Sequence, residues 1–599
     1  MRSFHFGFLI FLLACPWLYG QSPPPDFETQ VIPVFTKAGC NSGACHGAAI
    51  GRGGFKLSLL GYDPEADYES IVREYEGRRV HLLHPEKSLL LRKPSLQLEH
   101  EGGLKLSRFK EGYALVRDWI KAGAPRTSRR KLVKLAVTPS VQVLNNTGDR
   151  FQLRVNAHFD DGKTEEVTAW TLFTPADESA LKVSERGEVT ALRRGRHQIM
   201  VRFLGEVSAV TVTVPLQENP ARPFARHQKN FIDGYINKTL DQLHLPSSPP
   251  CTDETFVRRV YLDLIGTLPT SQEVKQFLAD KREDRRTHLV SELLERPEYV
   301  DYWSYKWGDL LRIESKGLQK EGAKAYHQWI RQQVKKNTPL DQMAREMILS
   351  LGDGHANGPV NFHRVARKPG EEAEQVSRVF LGVRLQCANC HNHPLDRWTQ
   401  DDYHGLAAIF ADLQRGRQVT QKDHGDVIHP RTNKPALPRL PGEKFLAKRE
   451  DGRLALAQWL LAPQNPYFAR SAVNRIWRDL MGRGLVEAVD DHRASNPPTH
   501  PELLSALAKN LVENNFDVKQ TIKLITSSAA YQRSSLSVGG NKEDDRYYSH
   551  FLVRPIPPVV LVDAVARVTG IQEKFGDDDA VSRAIALGDS RIPSPALDL

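Results

Sequence analysis

At 599 residues the chain is too long for one hydrophobic core, and roughly 150 residues per domain gives about four domains. With 40% apolar and 26% charged residues it has the makeup of a folded globular protein, which argues against a disordered or repeatedly membrane-spanning chain. The net charge of +10 comes from 82 basic residues set against 72 acidic ones along the whole length, and no basic block is interleaved with aromatics, so no nucleic-acid partner is expected.

In chain order, Arg2 and His5 precede the apolar run from Phe6 to Ala14, and Pro16, Gly20, Gln21 and Ser22 follow. Charged, apolar and cleavage segments in this order predict a secretory signal over 1–22, too short to span a bilayer. Leu12-Leu13-Ala14-Cys15 also resembles a bacterial lipoprotein box, an alternative in which a lipid on Cys15 anchors the protein. No other stretch approaches the roughly 18 apolar residues of a transmembrane helix, so no transmembrane segment is expected. The expectation is export to the periplasm or cell envelope. Of the six cysteines, Cys15 falls in the signal, leaving Cys40, Cys45, Cys387, Cys390 and the lone Cys251. A secreted disulfide scaffold carries more cysteines and scatters them. Both close pairs are instead followed by histidine, His46 and His391. For Cys387-Ala388-Asn389-Cys390-His391 this is the attachment pattern of a c-type haem. Its spacing brings both sulfurs to the porphyrin vinyl groups and places the imidazole beneath the iron as proximal ligand.

Residues 27–126 read as a small all-α domain. It opens Val31-Ile32-Pro33-Val34-Phe35 and reaches Cys40-Asn41-Ser42-Gly43-Ala44-Cys45-His46-Gly47. It ends on an amphipathic helix with Leu115, Trp119 and Ile120 on one face and Gly123 past its end. The early Cys45-His46, the Ser88-Leu89-Leu90-Leu91 run and Trp119-Ile120-Lys121-Ala122-Gly123 resemble a planctomycete-type secreted cytochrome c domain. The resemblance implies haem c attached to Cys40 and Cys45, with His46 as proximal ligand. Four residues separate these cysteines, so an extra pair must bulge outward; a local Cys40–Cys45 disulfide with a surface His46 is the competing reading. The domain contains no methionine, so a distal ligand falls to His81, His84 or His100. His100, in Glu99-His100-Glu101-Gly102-Gly103, is favoured because related domains carry a Met-Pro-Pro turn there. A site without methionine would have a low potential.

From 131 to 216 the apolar period changes to two. Phe151, Leu153, Val155, Ala157 and Phe159 alternate with polar residues up to a hairpin turn at Asp160-Asp161-Gly162-Lys163. Further strands are predicted at Leu181 to Val183, Gly187 to Ala191, Gln198 to Phe203 and Val210 to Val214, as in a β-sandwich. The Gly187–Ala191 and closing Thr-Val runs resemble a group-two bacterial Ig-like domain, which implies a spacing or binding role.

Beyond a Pro220–Pro223 linker the sequence is mainly helical. Phe231, Ile232, Tyr235, Ile236, Leu240 and Leu243 fall on one face, and Thr270-Ser271-Gln272-Glu273 predicts a capping box. Residues 228–315 resemble the first of two domains of unknown function that accompany planctomycete cytochrome domains, and 320–599 resemble the second. The latter match rests on Cys387 to Pro394, Trp398 to Tyr403, Asn465 to Arg470, Asn474 to Trp477 and Asn496 to Leu504. Related chains continue past the equivalent of Leu599. For an iron at His391, candidate distal ligands are His404, His363 and Met343. The rival is a Cys2His2 zinc site completed by His393 and His404. The acid pairs Asp401-Asp402 and Asp490-Asp491 read as capping or surface groups, because adjacent helical residues do not face each other.

The expected architecture is therefore an all-α cytochrome c-like domain, an Ig-like β-sandwich and a large helical region. The expected function is that of an exported dihaem c-type cytochrome in electron transfer with a redox partner protein or in haem-dependent oxidoreduction. The alternatives are an envelope or glycan-binding protein with a structural metal, or a metal-dependent hydrolase acting on polysaccharide.

Overall fold

The computed structural model describes residues 23–48, 50–126, 130–218, 224–447, 450–571, 573–575 and 583–589. The signal segment, Cys15, the 220–223 linker and the last ten residues lie outside these. Two compact units emerge, one of Met1–Leu132 with Phe159–Gly162 and one of Val133–His158 with Lys163–Leu599. Among the described residues no helix is long and apolar enough to cross a membrane.

In the first unit, a helical turn at Phe27–Val31 runs into helix α1 (Ile32–Lys37). Asp26 starts it by accepting the Thr29 N–H at 2.9 Å. The unit closes on α2 (Glu111–Lys121). Phe27 joins the two ends, its ring centroid 5.3 Å from that of Trp119 and 5.2 Å from that of Tyr68. Val116, Trp119 and Ile120 are fully buried, whereas Leu115 is only half-buried, so Val116 takes the inward place expected of its neighbour. Burying each such large apolar side chain stabilises by about 1.5–3 kcal/mol.

In the second unit, residues of the β-rich region form three sheets ordered β1-β4-β5, β2-β10-β9-β6 and β3-β8-β7. The strands are β1 (Leu132–Thr138), β2 (Val141–Val143), β3 (Arg150–Gln152), β4 (Arg154–Phe159), β5 (Thr164–Glu166), β6 (Leu172–Pro175), β7 (Leu181–Val183), β8 (Glu188–Ala191), β9 (Gly195–Phe203) and β10 (Glu206–Val214). The alternating run from Phe151 to Phe159 is not one strand. It changes sheet at the fully buried Leu153, so that β3 pairs with β8 while β4 joins β1 and β5. Val155, Ala157, Val189, Ile199, Val201, Val210 and Val212 are all fully buried, as period-two alternation requires of inward faces.

The helical part opens with α3 (Phe231–Gln242), whose Ile232, Ile236 and Leu240 are buried. Helix α4 (Asp253–Ile265) stops at Gly266, where φ is +59° and a Cβ would lie 2.8 Å from the Tyr302 ring. Helix α5 (Ser271–Ala279) starts with the expected capping box: the Glu273 N–H donates to Thr270 Oγ1 at 3.1 Å and the Thr270 N–H to Glu273 Oε2 at 2.6 Å. Helices α6 (Pro297–Leu310), α7 (Gln400–Ala408), α8 (Phe468–Met481) and α9 (Pro558–Thr569) follow. Trp477 on α8 is fully buried edge-on to Tyr548, centroids 5.3 Å apart.

Candidate functional site

After α1 the chain winds tightly through Cys40 to Gly47. The Cys40 N–H donates to the Phe35 carbonyl at 2.9 Å, the His46 N–H to the Cys40 carbonyl at 3.0 Å and the Gly47 N–H to the Ser42 carbonyl at 3.0 Å. Asn41, buried, ties the loop to α1 through Thr36 Oγ1 at 2.9 Å. Only glycine fits at position 47, where a Cβ would sit 2.2 Å from the Asn41 carbonyl oxygen. Gly43 and Ala44 are exposed while Asn41 is buried and Ser42 half-buried, so the middle of the wide spacing lies at the surface. Cys40 and Cys45 are free and half-buried. Desolvation around the Cys40 sulfur pushes its thiol up to about 12, and the neighbouring Cys45 adds to the rise.

His46 Nδ1 lies 2.9 Å from the Phe55 carbonyl, and His100 Nδ1 lies 2.9 Å from the Gly103 carbonyl. A carbonyl only accepts, so each Nδ1 carries the proton and each Nε2 keeps its lone pair. The two imidazoles stand with centroids 6.3 Å apart and planes 22° from parallel. Burial lowers the His46 pKa and His100 lowers it further, which keeps the ring in the neutral, metal-binding form. Arg79, buried, lies 4.5 Å over the Phe55 ring that packs on His46 and donates to the Gly54 carbonyl at 3.0 Å. The other candidates, His81 and His84, are exposed and pair with each other, centroids 5.2 Å apart.

In the second unit, Cys387 lies in a single 3-10 turn (Gln386–Asn389) that Cys390 and His391 follow; both cysteines are exposed and free. The turn is pinned to the start of α7. Gln400 Nε2 donates to the Cys390 carbonyl at 2.9 Å and the Gln400 N–H to Asn392 Oδ1 at 3.0 Å. From the β-rich region, Arg202 donates to the Pro394 carbonyl at 2.5 Å. His391 Nδ1 is 2.8 Å from the Asn392 carbonyl, so its Nε2 also keeps a lone pair.

The partners proposed for His391 are engaged elsewhere. His404 Nε2 bonds the Asn389 carbonyl at 3.0 Å, leaving a buried, unpartnered Nδ1, and its ring packs 5.0 Å from that of His429. His393 is buried, its Nδ1 accepts the Leu395 N–H at 3.1 Å, and burial lowers its pKa to about 4. His363 contacts the Glu372 carboxylate, which Arg415 shares, and Met343 is buried in the core. Among the described residues no three His, Cys, Asp or Glu side chains gather in a metal-binding group, so the Cys2His2 zinc set is not assembled. The acid pairs have structural partners. Asp402 closes a capping box with Thr399, and Asp490 holds Arg384 at 2.6 Å and Arg378 at 3.1 Å.

Residues 231–415 match a family model described as PSCyt2, a protein of unknown function (DUF1549). Residues 452–585 match one described as PSD1, a protein of unknown function (DUF1553). The chain carries both domains, in that order. This DUF1549–DUF1553 pairing is typical of planctomycete proteins. The DUF1549 match runs through Cys387–His391 to 415, beyond the boundary expected near 315–320. No curated protein matches the chain.

Proposed function

We propose that the protein is an exported c-type cytochrome of the periplasm or cell envelope. Its 27–126 region is a cytochrome c-like domain holding haem c through Cys40 and Cys45, and its 131–216 region is an Ig-like spacer. His46 and His100 are the residues that would hold its iron. The observation that carries this reading is the spacing of those two rings. Metal–imidazole bonds of about 2 Å, with each ring centre roughly 1 Å further on, put two imidazoles bound on opposite faces of one iron about 6 Å apart. His46 and His100 stand at 6.3 Å with both Nδ1 protons committed to carbonyls and both Nε2 lone pairs available. The same backbone bonds fix ring orientation and raise ligand basicity. Leu96, Leu104 and Phe109 flank His100 in sequence and are each more than half exposed, an apolar surface suited to a porphyrin face.

Cys387, Cys390 and His391 are the second attachment site, with the Nε2 of His391 free for iron. Bound haem supplies a one-electron couple. This chain's residues orient the imidazoles, and Arg79 places a buried positive charge beside the first site. The reading is tested on protein made with a cytochrome c maturation system. The Cys390→Ala chain, carrying the N-terminal haem alone, is expected to be low-spin, and adding His100→Ala converts it to high-spin. A low-spin spectrum that survives the loss of His100 would remove the bis-histidine assignment.

A further inference from the structure

In the second unit a cavity of about 1020 Å³ opens where α4 and α6 of the DUF1549 region meet α8 and residues 551–560 of the DUF1553 region. Its wall carries six cations and four carboxylates, and their placement is uneven. Two of the acids are neutralised within the wall. Asp479 lies 3.3 Å from Lys306 and 3.4 Å from Arg478, and Asp263 lies 2.5 Å from Arg554 while accepting the Tyr531 hydroxyl at 2.8 Å. The other two, Glu254 and Asp309, are exposed.

Three guanidinium groups are left without a carboxylate. Arg259, buried, donates to the Tyr531 and Arg533 carbonyls and lies 3.6 Å over the Phe551 ring. Arg475 donates to the Arg378 carbonyl, and its Nε is buried with no partner. Arg258 is exposed on the cavity wall. Among the described residues none of the three makes an ion pair with a carboxylate. Burial pulls the Arg475 pKa down to about 10 although Asp490 and Asp479 act in the opposite direction, so the carboxylates nearby do not make up for its lost hydration. Half-buried aromatic groups, Tyr305 and Trp307, complete the wall near the exposed acids.

We propose that this cleft is a binding site for an organic oxyanion, a carboxylate, sulfate or phosphate carried on a body that lies against the aromatic wall. The planar forks of Arg475 and Arg258 match such groups geometrically, and the ligand's charge supplies the counter-ion that the wall lacks. A volume of about 1020 Å³ sits at the upper end of small-molecule pockets, so the ligand has the size of a short oligomer or a nucleotide rather than of a lone inorganic ion. Nothing in this assignment depends on haem.

The test is calorimetric titration of the full chain with four probes: trigalacturonate, a heparin-derived tetrasaccharide, ATP and neutral maltotriose. At least one anionic probe is expected to bind with a dissociation constant below about 1 mM and to weaken as salt rises, and the arm that binds identifies the oxyanion. Arg475→Gln and Arg258→Gln are each expected to weaken that probe by about tenfold or more. Arg258 is exposed, so its variant reads out the site even where Arg475→Gln lowers the melting temperature. Absence of binding by all three anions, maltotriose binding as tightly as any of them, or wild-type affinity in Arg258→Gln would each overturn the proposal.

Discussion

Single ring nitrogens decide most of what this chain can do with a metal. His46, His100 and His391 each spend Nδ1 on a backbone carbonyl and hold Nε2 in reserve, whereas His404 spends Nε2 and buries Nδ1. The sequence pointed to His100 by its position relative to related domains and also offered His404; tautomer is set by carbonyls one to fifteen residues away, which spacing does not reveal. A different histidine carries a pH prediction. His500 is buried between Tyr547 and Tyr548, its Nε2 has no partner, and burial followed by Arg196, Arg533 and Arg546 lowers its pKa to about 3. The unfolded chain binds a proton at this residue near pH 6.5 and the folded chain does not, so stability is lost as pH falls from about 6.5 toward 3. His500→Gln removes that term. Denaturant titrations at pH 6 and pH 4 are expected to show a pH-dependent loss smaller in the variant by on the order of 1–3 kcal/mol. An unchanged loss would show that His500 titrates alike in both states.

At the scale of elements, local chemistry reads well where a stretch makes its own contacts. The capping box at Thr270 and Glu273, the turn at Gly162 and the closing helix through Trp119 all stand where residue type and period placed them. Phe151 to Phe159 failed as a single strand because alternation gives the inward face of each residue but not which sheet receives it. The sheet change at Leu153 depends on β8, more than thirty residues away. The Cys40–Gly47 loop is the element that matters most to the proposed function, and its closure rests on the absence of a side chain at Gly47. Gly47→Ala sets a methyl group against the Asn41 carbonyl, and we expect a cost on the order of 1–3 kcal/mol, seen as an earlier melting of the first unit. A melting curve superimposable on that of the wild type would mean that the loop closes in another way.

On the scale of the whole molecule, the length announced more than one core, and two compact units stand against the roughly four domains expected, while the change of period near 131 marked the β-rich stretch. The boundary expected at 315–320 falls instead at the start of a helix spanning Ser315–Lys336, inside the region matched by DUF1549. Helix follows helix there without a shift in composition, so nothing local signals where one family ends. The oxyanion cleft was equally invisible. Its guanidinium groups come from the adjacent Arg258 and Arg259 and from Arg475, more than two hundred residues further on, and no motif spans them. By contrast, both Cys-His motifs are local and can be read straight from the sequence, while the covalent haem assigned to them is the proposal.

The central claim is covalent haem at both motifs. Pyridine haemochrome quantification, with haem staining after denaturing electrophoresis, measures it on wild type, Cys45→Ala and Cys390→Ala made with a maturation system. Two haems per wild-type chain and one in each variant are predicted. A wild-type chain that carries no covalent haem would contradict the account.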